Sequence, residues 1–84
     1  MKPIRLSGHA RQQLGHRGAT EGEVVDTIQT ASWQPADLGR LQCTKDFAFN
    51  AYWNGRRYQT KQIRPIFAEE GTEIVVVTIY VYYF

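Results

Sequence analysis

The chain has 84 residues, 43% hydrophobic and 21% charged, with ten basic against eight acidic side chains for a net charge of +2. That describes one globular domain: too apolar for disorder, too short for a second core, and too weakly basic to demand a polyanionic partner on charge alone. Cys43 is the single cysteine, which excludes an internal disulfide and suits a reducing compartment, and no leader-like or bilayer-length apolar run is visible, so a cytoplasmic protein without membrane contact is expected.

The first predicted element is a helix opening at Ser7 or Gly8 and closing near Arg17. Ser7 can accept a hydrogen bond from a free amide of the first turn, and Gly18 suits a left-handed stop. Gly15 weakens this helix by up to about 1 kcal/mol relative to alanine, so tertiary contacts must support it. At 100° per residue, His9, Gln13 and His16 fall within about 60° of one another, with Arg17 about 80° from His9. Ala10 and Leu14 share the side that packs inward. His9 lies at the edge of that side, near the amino end, where the helix dipole disfavours an imidazolium and a nearby phosphate favours one. It either orders the helix start through a local hydrogen bond or handles protons at a phosphate site. His9 and His16 are two turns apart, about 10.5 Å of rise, which argues against shared metal ligation with Cys43. No CxxC or HExxH accompanies them, and no cofactor motif is present. Cys43 likewise lacks the neighbours of a nucleophile.

A second helix begins at Thr20, where "TEGE" forms a capping box with Glu23. Val24, Val25, Ile28 and Ala31 make its apolar stripe, and "SWQPADLG" closes it through Pro35 and Gly39. Glu21, Glu23 and Asp26 stand where a DNA-reading helix needs cations, so a helix-turn-helix regulator is disfavoured.

From Thr44 onward the pattern is β. In "FAFNAYW" residues Phe47, Phe49, Ala51 and Trp53 alternate onto one face, and Asn54-Gly55 is a strong two-residue hairpin signal. The returning strand passes Tyr58, Lys61, Ile63 and Ile66 and bends at Pro65. A simple hairpin pairs Trp53 with Arg56 and Phe47 with Gln62, which sets polar partners against aromatics; either a bulge shifts the register or that face is half covered. "AEEGT" turns the chain into a last strand, Thr72 to Phe84. There Val75, Val77, Ile79 and Val81 are expected to face the core, with Ile74, Val76, Thr78, Tyr80 and Tyr82 on an open, concave side. Helices followed by strands define an α+β domain over residues 1–84.

Arg56, Arg57, Lys61 and Arg64 lie among Tyr52, Trp53 and Tyr58. Cations beside aromatics on a sheet suit RNA, whose phosphates pair with arginine while its bases stack. The same charges also suit an edge strand guarded against aggregation, and the sequence leaves both readings open.

"SGHARQQLGHRGATEGEVVDTIQ", followed by "YQTKQIRPIFAEEGTEIVVVTIYVYYF", resembles a bacterial domain family of unknown function. The elements that carry the resemblance are His9-Ala10 opening a helix, Arg17-Gly18 ending it, the capped helix from Thr20 to Ile28, and Thr78-Ile79-Tyr80 in the final strand. That family is similar in expected fold to the RelE/ParE and BrnT-type toxins. The resemblance implies two N-terminal helices packed on a twisted antiparallel sheet of three to four strands. It implies a metal-independent endoribonuclease of toxin–antitoxin type, with RNA and an antitoxin-like protein as partners. The matching polar positions are His9, Arg17, Lys61 and Thr78, with Tyr80 matching in type. His9 is then the acid or base, Arg17 and Lys61 stabilise charge, Thr78 or Tyr80 positions substrate, and Arg57, Arg64 and Tyr82 contact RNA. The Lys/Arg set is thinner than in ribosome-dependent RelE toxins, which argues against cleavage on the ribosome. The alternative is a non-catalytic protein- or RNA-binding domain on the same fold.

Overall fold

Both helix starts are fixed by side-chain caps in the computed structural model, which describes residues 1–84. Helix α1 spans Gly8–Arg17, with Ser7 Oγ accepting from the Ala10 amide. It stops where Gly18 adopts φ 74°. No side chain fits there: a Cβ at position 18 would lie 2.7 Å from the Trp53 ring and run into the Tyr83 hydroxyl. Helix α2 spans Glu21–Thr30 and carries the full capping box, the Glu23 amide donating to Thr20 and the Thr20 amide to Glu23. Its inward side presents Val24, Thr27 and Ile28. Thr27 is tolerated there because its hydroxyl donates to the Glu23 carbonyl at 2.8 Å.

The sheet is larger than the sequence pattern predicts, and it is mixed. Its strands are β1 (Ile4–Leu6), β2 (Gln34–Pro35), β3 (Leu41–Gln42), β4 (Lys45–Trp53), β5 (Arg56–Glu69) and β6 (Ile74–Tyr83). They run in the order β1-β6-β5-β3-β2, with β4 also paired to β5. β1 lies parallel to β6 and every other pairing is antiparallel. The α+β class therefore stands, whereas the antiparallel sheet of three to four strands is corrected to a mixed sheet of six. The additions are short. β1 has too few residues to show a period, and β2 and β3 fall inside and just after the segment read as a helix-ending loop.

β3 and β4 behave as one strand with a break. Leu41↔Phe67 and Gln42↔Ile66 share a single register with Lys45↔Ile63 and Ala48↔Thr60. The gap at Cys43–Thr44 lies opposite Arg64–Pro65. Pro65 also pairs with Ile79, and the Ile79 N–H and C=O both point away, to α1 side chains. In an antiparallel ladder Pro65 must then turn its backbone towards Cys43, and a proline has no N–H to offer there.

Three bulges set which side chains share a face. In β4 the register shifts between Ala48 and Ala51, where Asn50 takes φ 47°. Trp53 pairs with Arg56 as expected, but Phe47 meets Lys61 rather than Gln62; the bulge decides between the two alternatives. In β5 the Gln59 and Thr60 amides both donate to the Phe84 carbonyl, at 3.1 and 2.7 Å. In β6 Val77 is left over between Ile66↔Thr78 and Phe67↔Val76. Alternation therefore changes phase at Val77, so Ile74 and Val76 join Ile79 in the core cluster beneath the helices. Of the expected core row, Ile79 and Val81 keep their place, Val75 and Val77 give way to Ile74 and Val76, and Thr78, Tyr80 and Tyr82 keep the opposite face. Phe67, Ile28, Ile63, Val24, Val76 and Ile79 are completely buried between helices and sheet, each worth about 1.5–3 kcal/mol of transfer free energy.

Candidate functional site

The free edge of β6 brings the first site residue into place. β1 ends at Leu6, and the Ser7 amide makes the last parallel bond, 2.9 Å to the Val76 carbonyl. Beyond it, α1 supplies side chains where a strand would continue. Gln13 Oε1 accepts from the Ile79 amide at 2.8 Å and Arg17 Nη1 donates to the Ile79 carbonyl at 3.1 Å. The two residues are four apart and so lie on one helix face. From this anchor the Arg17 guanidinium passes the edge of β6 and rests 5.3 Å from the centre of the Tyr80 ring.

Tyr80 belongs to the sheet face turned away from the helices, where Arg64 is the central cation. Its guanidinium lies 4.7 Å from the Tyr80 ring centre and 5.7 Å from that of Tyr82. One Nη donates to Gln42 and the other to the Tyr82 hydroxyl, while Nε is buried without a partner. A buried unpaired donor costs about 1–3 kcal/mol, and more when charged; each Nη also keeps a second N–H beyond the one bond it makes.

Above Arg64 stands the β2–β3 hairpin. Its turn places Leu38 at φ 61° and Gly39 at φ 71°, and the Ala36 amide donates to the Arg40 carbonyl at 2.8 Å. Leucine in the left-handed region carries strain of about 1 kcal/mol or more, and here its side chain is 86% exposed. The hairpin residues Pro35 to Leu38 and Arg40 enclose a hollow of about 500 Å³ together with Gln42, Arg64, Ile66, Thr78 and Tyr80. Thr78 and Tyr80 stand two strands away from β3, about 10 Å across the sheet, so the turn must curl over the face to share a cavity with them. Arg40 and Arg64 are the cations of this hollow and Asp37 is its one carboxylate.

The residues singled out from the sequence divide into two groups. Thr78, Tyr80 and Arg64 line the hollow, Arg17 touches Tyr80, and Tyr82 extends the same face. Arg57 joins that face because the bulge at Gln59–Thr60 reverses the alternation; it pairs with Tyr52, which is 71% exposed. Lys61 lies elsewhere. It is buried on the helix side, 2.9 Å from the Gly18 carbonyl and 2.8 Å from the Glu23 carboxylate. His9 and His16 are exposed on α1, and His9 stands at the opposite end of that helix from the Lys61–Gly18 contact, about 13 Å of rise away. The base, acid and charge-stabilising set proposed from His9 and Lys61 is therefore not assembled in one place.

Burial pushes the Cys43 thiol up to about 11, and its Sγ lies 3.6 Å from the Thr27 carbonyl, so it is a packed, unreactive group at neutral pH. Sequence reasoning missed Arg40, Gln42 and Gln13. Asp37 and Gly39 do signal a turn, but a leucine between them hides the left-handed conformation that bends Arg40 over the sheet. No helix is long and apolar enough to cross a membrane. No family model, curated protein or solved structure matches the chain.

Proposed function

We propose that the open face of the sheet binds single-stranded RNA, with the hollow beneath the β2–β3 hairpin as its anchor. The observation that carries this reading is Arg64, set against the rings of Tyr80 and Tyr82 at 4.7 and 5.7 Å and sharing the hollow with Arg40. Guanidinium forks donate in pairs to phosphate oxygens. Exposed tyrosines offer faces on which unstacked bases rest, and that stacking tolerates any base. Tyr82 and Tyr52 are 42% and 71% exposed, so both rings are open to such contact. The reading needs no high net charge, because the cations are gathered on one face.

Direct titration of the protein with oligouridylate at several salt concentrations tests it. Three arginine–phosphate contacts, from Arg40, Arg57 and Arg64, give a slope of log K against log salt of about −2. Arg64→Ala lowers affinity by about tenfold or more, and Asp37→Asn raises it by removing the one carboxylate of the hollow. Absence of binding at low salt overturns the reading.

A second reading is favoured by the position of Tyr80, whose ring lies near both Arg17 and Arg64. It is the toxin-like endoribonuclease of the resemblance, relocated to this hollow. The 2′-hydroxyl oxygen attacks the adjacent phosphorus as it loses its proton, and the 5′-oxygen leaves with a proton, giving a 2′,3′-cyclic phosphate and a 5′-hydroxyl end. In this reading the Asp37 carboxylate takes the 2′-hydroxyl proton, Tyr80 gives one to the 5′-oxygen, and the two guanidiniums offset the charge on phosphorus. Tyr80→Phe then abolishes cleavage and leaves binding in place; intact RNA after prolonged incubation with wild type leaves the binding reading alone.

A further inference from the structure

The open face is a track with one closed end. Along β6 it runs from Thr78 to Phe84, about 20 Å at 3.3 Å per residue. Tyr80 and Tyr82 lie on it between those ends, Arg64 beside them and Arg57 with Tyr52 further along. At the Phe84 end nothing stands over the sheet, and the Phe84 side chain is 58% exposed. At the Thr78 end the turn Ala36–Arg40 curls over the face and walls the hollow.

A continuous polymer lying along the track meets that wall, whereas a strand that terminates beneath it does not. The chemistry of the hollow fits the same conclusion. An internal phosphodiester carries one negative charge, while a terminal phosphomonoester carries about −1.5 to −2 near neutral pH and presents three acceptor oxygens. The hollow gathers two guanidiniums, from Arg40 and Arg64, with the hydroxyls of Thr78 and Tyr80. Each Arg64 Nη spends one of its two hydrogens, on Gln42 and on Tyr82, which leaves one apiece, and the Arg40 side chain is half-buried on the hairpin wall. A volume of about 500 Å³ has room for one nucleotide end.

We infer that the hollow recognises the phosphorylated end of a single RNA strand, so that the protein is an RNA-end binder and not a binder of internal sequence. This rests on the RNA-binding reading above and adds to it where on the strand the protein sits. Arg40 and Arg64 hold the terminal phosphate, Thr78 and Tyr80 donate to its remaining oxygens, and the tyrosines and Arg57 follow the next nucleotides outward.

The experiment compares oligouridylates of one length in four forms: 5′-phosphorylated, 3′-phosphorylated, hydroxyl at both ends, and circular. Isothermal titration with the full chain gives the affinities. At least one phosphorylated form binds about tenfold or more tightly than the hydroxyl-ended strand, and the circle binds no better than the latter. Arg40→Ala, a change on a surface hairpin, lowers the affinity of the preferred phosphorylated form several-fold more than that of the hydroxyl-ended strand and so collapses the preference. Arg57→Ala weakens all four forms alike and leaves the preference intact. Equal affinity for all four forms overturns end recognition while the RNA-binding reading stands. Failure of every form to bind at low salt overturns both. Uridine 5′- and 3′-monophosphates provide the last arm: if either binds as tightly as the best oligonucleotide, the hollow is a mononucleotide site and the track contributes nothing, which also overturns the inference.

Discussion

Lys61 shows how one residue type supports two opposite readings. On the sequence it belongs to a basic cluster with Arg56, Arg57 and Arg64; in the fold it is 7% exposed and ties the Gly18 carbonyl and the Glu23 carboxylate to the sheet. Glu23 in turn accepts from the Thr20 amide, so one lysine locks the α1–α2 turn and the start of α2 onto β5. Lys61→Met leaves Glu23 facing the interior without its cation and is expected to cost about 3 kcal/mol in urea unfolding, with RNA affinity of the folded fraction unchanged. Gly18 is equally constrained. Gly18→Ala meets both a positive φ and the ring of Trp53 and is expected to destabilise by about 2 kcal/mol or more. The glycine was legible as a helix stop, because a left-handed cap favours glycine. Its closeness to Trp53 and Tyr83 was not, since those residues arrive from strands far along the chain.

Elements with local causes were the readable ones. α1 and α2 follow from Ser7, Thr20, Glu23 and Gly18, and the β4–β5 turn from Asn54-Gly55, where Asn54 takes φ 51° and Gly55 φ 80°. The bulges resisted reading because each depends on a partner strand: Val77 is extra only relative to Ile66 and Phe67. For the same reason Arg57 and Arg64, an odd and an even position that an unbroken strand sets on opposite faces, are united only by the bulge at Gln59–Thr60. The edge of β6 was hidden too, since an amphipathic count gives no hint that Gln13 completes a sheet. That clamp predicts its own test. Gln13→Ala leaves the Ile79 amide buried without an acceptor, a loss of about 1–3 kcal/mol. Hydrogen exchange at Ile79 should quicken well before that of Ile63, which lies in the interior strand.

For the molecule as a whole, acid and alkali act at opposite ends of the fold. Hydrogen bonds from Arg5 hold the Glu73 carboxyl below its ordinary value, tying β1 to the turn before β6. A lowered carboxyl contributes stability above its unfolded pKa and loses it as pH falls through the folded one; the pair is exposed, so the effect is small and fades with salt. Tyr83 is shifted upward, first by burial and then by the charge of Glu23. Its contribution is complete below about pH 10 and is lost as pH rises through the folded value. Urea midpoints measured across pH should fall on both sides of neutrality. Tyr83→Phe should flatten the alkaline limb while lowering the plateau, because the hydroxyl also donates to the Arg17 carbonyl at 2.7 Å.

The missing donor at Pro65 reaches beyond its own ladder. It leaves residues 34–42 joined to the body of the sheet at their base alone, by the pairs Leu41↔Phe67 and Gln42↔Ile66, the Arg64–Gln42 hydrogen bond and the Leu41 side chain against the core, with the strained Leu38 at the tip. The base of the hairpin holds, and its exposed tip frays before the helices and long strands do. The strained, exposed turn around Leu38 is thus the place where proteases cutting native protein should nick the chain first.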